Sequence, residues 1–145
     1  MVKYPEQKLK KEWIYSEITP EIAEWSESFG KFLCAYDEPK PIKKPLTTGQ
    51  LRKFFGEVKR IESNVEKNKE DIVMLKPLLA YAVGRDKNNS GKNKTRIEEF
   101  AKEVTTAVDA VINGKNLKSD FKTFVKLLES IVAYHKYYGG KENSK

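Results

Sequence analysis

The sequence predicts an all-α protein, a bundle of four or five helices whose N-terminal helix is tethered by a proline-rich linker. Apolar residues recur at intervals of three and four along most of the chain, which is the spacing that lines one side of a helix. No stretch alternates strictly between apolar and polar residues as a half-buried strand would, and no internal repeat is present. Threonine caps, a Thr-Pro-Glu opening and a Gly-Gly ending then mark individual helix ends.

The chain begins with an arm that leads into a first helix. Residues 1–18 mix charges with aromatic and apolar side chains, which predicts an arm that docks on another part of the protein. Thr19-Pro20-Glu21 opens the helix, because threonine can cap it, proline suits its first position, and an acid is favoured at the positive end of the dipole. The helix is predicted to run to about Tyr36. Its apolar side consists of Ile22, Trp25, Phe29, Phe32, Leu33 and Tyr36.

Residues 37–45 form the predicted linker, because three prolines in nine residues are incompatible with a helix. Nine residues extended at about 3.1 Å each span roughly 28 Å. The N-terminal helix can therefore pack on its own body or exchange with a neighbouring copy. The predicted organisation is a helical arm over residues 1–36, this linker, a helical body over 46–140 and a frayed tail over 141–145.

The central helix has the most strongly specified start in the chain. Thr47 and Gln50 match a capping box, and Leu46 can meet Leu51 as a hydrophobic staple. The helix is predicted to fade near residues 67–69. Its apolar side consists of Leu51, Phe54, Phe55, Val58, Ile61 and Val65. Its other side carries Arg52, Gly56, Lys59, Arg60 and Ser63, which leaves positive charges free to bind a polyanion.

A further helix is predicted to open near Asp71. Pro77 leaves two alternatives, because a proline either kinks this helix or occupies the first position of a fresh one. The polar, glycine-bearing stretch at residues 84–94 follows, and its composition is typical of turns. With five basic residues and one acid between Arg85 and Arg96, it is predicted to be a mobile basic loop.

Two long helices complete the predicted bundle. Thr95 is expected to cap a helix through Ile112, and Asn113-Gly114 to end it. The last helix is predicted over residues 117–138, stopped by Gly139-Gly140. A basic stripe at four-residue spacing lies beside its apolar side: Lys118, Lys122 and Lys126.

The net charge of +7 is unevenly distributed. Residues 1–44 hold eight lysines and eight acidic residues, whereas residues 45–145 hold twenty basic and thirteen acidic residues. The whole surplus therefore lies in the body. A basic surplus of this kind favours nucleic acid or another anionic surface, although many basic proteins bind neither.

The sequence offers little to an enzyme. One histidine, His135, and one cysteine, Cys34, cannot build a zinc site in a single copy, and no phosphate-binding loop or nucleophile elbow is present. We therefore expect no catalytic residues, no metal and no cofactor. His135 is expected to be a hydrogen-bonded surface or half-buried residue. Three tyrosines near it could stack on nucleic-acid bases, but a cluster at a helix end favours packing: Tyr134, Tyr137 and Tyr138.

The same counts bear on location. A lone cysteine suits a reducing compartment, and no apolar run approaches the roughly 20 residues that span a bilayer. We expect a cytoplasmic protein with no membrane partner.

Three sequence blocks resemble one known family. They are Leu-Thr-Thr-Gly-Gln-Leu-Arg-Lys-Phe-Phe at residues 46–55, Leu-Lys-Pro-Leu-Leu-Ala-Tyr-Ala at 75–82, and Ile-Val-Ala-Tyr-His-Lys-Tyr-Tyr-Gly-Gly at 131–140. In this order they resemble the small subunit of type III-A CRISPR effector (Csm) complexes. The resemblance covers roughly residues 46–140, and the long aromatic arm that precedes them departs from the family pattern.

This resemblance implies a non-catalytic subunit, present in several copies, that stacks along the filament of an RNA-guided complex. The implied partners are CRISPR RNA, target RNA and the other subunits, with self-association by exchange of the N-terminal helix as a hypothesis. RNA would be held through its phosphates without regard to sequence. The candidate RNA-binding residues are Arg52, Lys53, Lys59, Arg60, Lys76, Arg85, Lys122, Lys126 and Lys136. The alternative is a helical scaffold or interaction module whose basic side meets an acidic partner protein.

Overall fold

The computed structural model describes residues 3–35 and 43–140, and all regular structure in these two ranges is helical. Two isolated bridges, Lys44 with Thr95 and Lys87 with Asn93, are the closest approach to a sheet there. The all-α prediction is confirmed. Tyr36, most of the predicted linker and the tail at 141–145 lie outside the described residues. A short 3-10 helix (Lys11–Tyr15) lies in the arm, and the six α-helices of these ranges are α1 (Pro20–Leu33), α2 (Thr48–Glu62), α3 (Lys69–Val73), α4 (Leu75–Arg85), α5 (Ile97–Asn113) and α6 (Leu117–Tyr137).

Helix α1 starts as predicted and packs along α6. The Thr19 hydroxyl accepts a hydrogen bond from the Ile22 amide at 3.3 Å. The helix ends at Leu33, earlier than expected. At Gly30 the two helices approach closely, because a Cβ atom there would lie 2.9 Å from Tyr134 Cβ and 3.0 Å from the His135 nitrogen. A glycine that weakens an isolated helix therefore permits this packing.

The capping box at the start of α2 is confirmed. The Gln50 amide donates to the Thr47 hydroxyl at 3.0 Å, and the Thr47 amide donates to Gln50 Oε1 at 2.9 Å. The predicted end is wrong, since α2 stops at Glu62. Just beyond it, Asn64 Oδ1 accepts from the Lys67 amide at 3.1 Å. Serine and asparagine side chains compete with the helical ladder in this way, which explains the early end.

The region around Pro77 contains a break and a new helix. Met74 separates α3 from α4, and α4 begins at Leu75, two residues before the proline. Pro77 thus occupies the first turn of α4, where a backbone N–H has no intrahelical acceptor. Of the two alternatives, a fresh helix forms, but Pro77 is its third residue and not its first.

Helices α5 and α6 end where the sequence indicated. Gly114 follows Asn113 as the C-cap of α5. Gly139 has a φ angle of +105°, and the Gly140 amide donates to the His135 carbonyl at 2.8 Å, as in a Schellman motif. The start of α5 is slightly displaced, because Arg96 is the capping residue while the Thr95 hydroxyl accepts from the Ile97 amide at 3.3 Å.

The N-terminal arm docks on α5 and α1. The buried Glu103 carboxylate accepts from the Leu9 amide at 2.9 Å and from the Tyr4 hydroxyl. Farther along, the Tyr15 hydroxyl donates to the Ala110 carbonyl at 2.7 Å. Burial, together with the bond to Glu103, raises the pKa of Tyr4 above its usual 10. The arm is therefore part of the same core.

Leu46 joins three elements at the entrance to α2. Its amide donates to the Leu33 carbonyl at 2.8 Å, and its carbonyl accepts from His135 Nε2–H at 2.6 Å. Both Leu46 and His135 are buried, so the expectation of a surface or half-buried histidine is wrong. Burial lowers the pKa of His135 below its ordinary 6.5. Within the described ranges, no helix is long and apolar enough to cross a membrane.

Candidate nucleic-acid interface

Two of the predicted site residues, Lys53 and Arg85, converge on a cleft between α2 and α4. This α2–α4 cleft has a volume of about 410 Å³. Lys53 reaches it from α2, Arg85 from α4, and Lys94 from the loop that follows. The cleft is lined by Gly49, Gln50, Lys53, Phe54, Leu78, Leu79, Tyr81, Ala82, Arg85, Asp86, Lys94 and Ile97. Three cations therefore surround an apolar floor.

The buried carboxylate of Asp86 fixes the loop at this cleft. It accepts from the Thr95 amide at 2.9 Å and from Asn93 Nδ2 at 3.2 Å. Gln50 Nε2 lies 3.4 Å from its other oxygen, which connects the loop to the capping box of α2. The sequence predicted a mobile loop over residues 84–94, whereas these bonds hold its base against α2.

The three cations of the cleft are not neutralised by neighbours. Within residues 3–35 and 43–140, no carboxylate lies within 4.0 Å of the charged groups of Lys53, Arg85 or Lys94. Asp86 is nearby, but its oxygens already accept hydrogen bonds from the loop and from Gln50. The cleft therefore presents positive charge that a polyanion can use.

Two other predicted residues, Lys59 and Arg60, have acidic partners in the same chain. Lys59 lies 2.8 Å from Glu62 and 3.3 Å from Glu129 on α6. Arg60 lies 2.6 Å from Glu57 and 2.9 Å from Asp71. The bonds to these acids raise the pKa of both cations, and the bond to Arg60 lowers the pKa of Glu57.

Lys76 and Arg52 are exposed but also engaged. Lys76 forms an ion pair with Asp109 on α5 at 2.7 Å. Arg52 projects from α2 next to Lys53 and already interacts with another group. An RNA phosphate would have to compete with existing contacts at both residues.

The predicted residues on α6 lie apart from the α2–α4 cleft. Lys122, Lys126 and Lys136 are exposed, and none of them lines that cleft. Lys118 and Lys122 line a separate cleft of about 390 Å³ together with two acids of the α2 end, Glu62 and Glu66. Lys118 and Lys122 therefore share this cleft with acidic neighbours, whereas Lys126 and Lys136 do not line it.

Tyr81 and Lys94 line the cleft but were not among the predicted site residues. Lys94 lies in the loop whose surplus of basic residues the sequence revealed, and Tyr81 lies within the second family-like block. The signal for both was present. What the sequence lacked was the fold of the loop, which places Lys94 opposite Lys53 and Arg85.

One basic residue counted in that loop, Arg96, is unavailable to a ligand. Arg96 is 2% exposed, and its guanidinium lies over the Phe32 ring at 4.0 Å and donates to the Phe32 carbonyl. It joins the loop to α1 by packing and hydrogen bonding. The charge of the loop as counted from sequence therefore overstates the charge at its surface.

The tyrosines at the end of α6 divide into two kinds. Tyr134 and Tyr138 are half-buried and stack at 6.4 Å, as expected of packing residues. A hydrogen bond from its hydroxyl to Glu27 raises the pKa of Tyr138 to about 12. Tyr137 is 76% exposed, and its ring meets that of Tyr138 edge-on at a centroid distance of 4.9 Å.

Comparison with known proteins places most of the chain in one family. The family model described as Csm2 Type III-A matches residues 24–141. The match begins within α1 and extends just past the glycines that end α6. No curated protein and no solved structure matches the chain.

Proposed function

The chain belongs to the Csm2 type III-A family and is a small subunit of a type III-A CRISPR complex, and we propose that it holds RNA through the α2–α4 cleft. The observation that carries this proposal is the convergence of three unneutralised cations, Lys53, Arg85 and Lys94, on one cleft. CRISPR RNA and target RNA are the ligands, and the other subunits of the complex are the protein partners.

The chemistry of the cleft suits contacts that ignore sequence. Lysine and arginine bind phosphate oxygens, and a phosphate carries the same charge under every base. A subunit that meets any guide or target needs this indifference. The cations with acidic partners, Lys59, Arg60 and Lys76, contribute less, because RNA must displace a carboxylate before binding them. Lys122, Lys126 and Lys136 extend the contact surface beyond the cleft, and Arg52 adds to it where RNA displaces its existing contact.

The role is structural and non-catalytic, in the cytoplasm. Several copies stack along the RNA, and each adds a weak contact whose effective concentration rises once its neighbour is bound. Exchange of α1 between copies is one way to connect them, since the α1 surface that packs on α6 around Gly30 can be supplied by a neighbour. Light scattering at high protein concentration tests this exchange, and a strict monomer contradicts it.

Fluorescence anisotropy of labelled single-stranded RNAs of unrelated sequence tests the function. The wild type is expected to bind them alike, with a log–log salt slope of about −0.7 per phosphate contact. In the variant Lys53→Ala/Arg85→Ala/Lys94→Ala, the slope is expected to become less negative by about 2, because three phosphate contacts are lost. The matched control is Lys59→Ala/Arg60→Ala, which removes two exposed cations that have acidic partners and should change binding less. Equal losses in both variants would contradict the proposal.

A second candidate function is a helical scaffold that binds an acidic protein. It is favoured by two exposed apolar residues at the α3–α4 junction, Val73 and Met74, which are 51% and 56% exposed. Met74 lines a neighbouring cleft of about 490 Å³ that shares Lys53 and Leu78 with the α2–α4 cleft. Such a partner would bind with 1:1 saturation and lose affinity in Val73→Ala/Met74→Ala, whereas RNA binding should be unchanged in that variant.

A further inference from the structure

Tyr81 stands at the edge of the α2–α4 cleft with an open aromatic face. It is 64% exposed, although it belongs to a helix whose neighbouring positions Leu75 and Leu79 are buried. In the part of the chain that the structure describes, no ring stacks on Tyr81 and its hydroxyl has no hydrogen-bond partner. A large aromatic side chain with neither kind of contact is available to a ligand.

The surroundings of Tyr81 match the two parts of a nucleotide. Leu78 and Ala82, one turn apart on α4, and Phe54 on α2 provide an apolar wall. Lys53, Arg85 and Lys94 provide the positive charge, as described above. A nucleotide has a flat, weakly polar base and a charged phosphate, and the volume of about 410 Å³ is that of a small-ligand cleft.

We propose that Tyr81 is a stacking platform for an unpaired RNA base, while the cations of the cleft hold the phosphates beside it. This inference rests on the proposed RNA-binding function and names its substrate as single-stranded RNA. In a duplex the faces of the bases are covered by their neighbours, so only an unpaired base can lie on the tyrosine ring. Stacking is indifferent to sequence, since every base has a π face.

The test uses an oligouridine of about 15 nucleotides, within the site sizes of single-strand binders, that carries one 2-aminopurine. The fluorescence of this base analogue is quenched when it stacks. Wild type and Tyr81→Phe are expected to quench it, whereas Tyr81→Ala should lose the quenching and bind roughly 5-fold or more weakly. The matched control is Tyr137→Ala, which removes another exposed tyrosine outside the cleft and should behave as wild type.

The salt slope separates stacking from charge. Tyr81→Ala should keep the wild-type slope, because it removes no phosphate contact. An unlabelled blunt RNA duplex should displace the probe from wild type less well than an unlabelled single strand does. In Tyr81→Ala, the two competitors should differ less in the concentration that displaces the probe.

Two failures are distinguishable. If Lys53→Ala/Arg85→Ala/Lys94→Ala weakens binding but Tyr81→Ala changes neither affinity nor quenching, stacking is wrong and the phosphate-binding function stands. If no RNA binds even at low salt, both proposals are overturned. Circular dichroism of each variant confirms that the helices are intact.

Discussion

The two ends of α2 carry the same kind of exposed cation in different surroundings. At the N-terminal end, Lys53 lies on a cleft with Arg85 and Lys94, and no carboxylate within residues 3–35 and 43–140 forms an ion pair with it. At the C-terminal end, Lys59 and Arg60 are each held by two carboxylates. An exposed cation is therefore readily available for binding only where the fold gives it no acidic partner.

The largest expected effect comes from removing the carboxylate that holds the N-terminal end together. Asp86→Ala removes the acceptor of the buried Thr95 amide and one of two acceptors for the side-chain amides of Asn93 and Gln50. We expect a loss of roughly 2–4 kcal/mol in the free energy of unfolding, because the buried Thr95 amide is left unpaired and two further hydrogen bonds are lost. Urea denaturation measures it. RNA binding should also weaken, since Lys94 is no longer fixed at the cleft.

The control for that experiment is Asp109→Ala. It removes a carboxylate on α5 that forms an exposed ion pair with Lys76, and such pairs contribute below about 1 kcal/mol. Similar losses in the two variants would show that Asp86 is not a structural anchor of the cleft.

A pH titration probes how the N-terminal end is attached to α6. Burial of the His135 ring, together with the nearby charge of Lys136, holds its folded-state pKa below 6.5, although the hydrogen bond to the Leu46 carbonyl acts in the opposite direction. Below pH 6.5 the unfolded chain binds more protons than the folded chain. The free energy of unfolding should therefore decrease as the pH is lowered, by at most about 1.4 kcal/mol for each pH unit.

Urea denaturation from about pH 7.5 to about pH 5.5 covers this window and lies above the range where carboxylates titrate. His135→Asn removes the titrating group, so its stability should depend less on pH across the window. An equal slope in this variant and the wild type would assign the effect to other groups. Glu57, whose pKa is lowered, loses its contribution only at lower pH.

Charge reversal tests whether the C-terminal end of α2 supports stability and the N-terminal end supports RNA binding. Lys59→Glu/Arg60→Glu places new acids among Glu57, Glu62, Asp71 and Glu129, so we expect a lower urea midpoint from like-charge repulsion.

The matched reversal at the other end, Lys53→Glu/Arg85→Glu, breaks no ion pair among the described residues and should lower RNA affinity with a smaller change in the urea midpoint. The opposite result, in which Lys53→Glu/Arg85→Glu unfolds more easily and Lys59→Glu/Arg60→Glu binds RNA less well, would contradict these roles of the two ends of α2.

The smallest expected effect is a gain. In Glu57→Gln/Asp71→Asn, Arg60 loses both of its ion-pair partners. If the ion pairs keep Arg60 from binding a phosphate, RNA affinity should increase in this variant, and the salt slope should steepen by about 0.7 for one added phosphate contact. Anisotropy over a range of salt concentrations measures this. Unchanged binding would mean that the C-terminal end lies away from the RNA.

Much of the fold was predictable from short-range chemistry. The capping box of Thr47 and Gln50, the Thr19 cap and the glycine ending at Gly139 are each set by residues a few positions apart. The predictions were less accurate for helix ends at which side chains compete with the backbone for hydrogen bonds. The early stop of α2 is an example, since an asparagine side chain displaces the backbone ladder.

The sequence by itself determined the helices, the basic body and the family, because periodic apolar residues, net charge and the three blocks are local properties of the chain. The tertiary structure decided which charges are usable. Arg60 meets Asp71, Lys59 meets Glu129, and Arg96 is buried against Phe32. These partners are distant in sequence, so spacing carries no record of them. Electrostatic attraction falls with distance, and only folding sets the distances between charges.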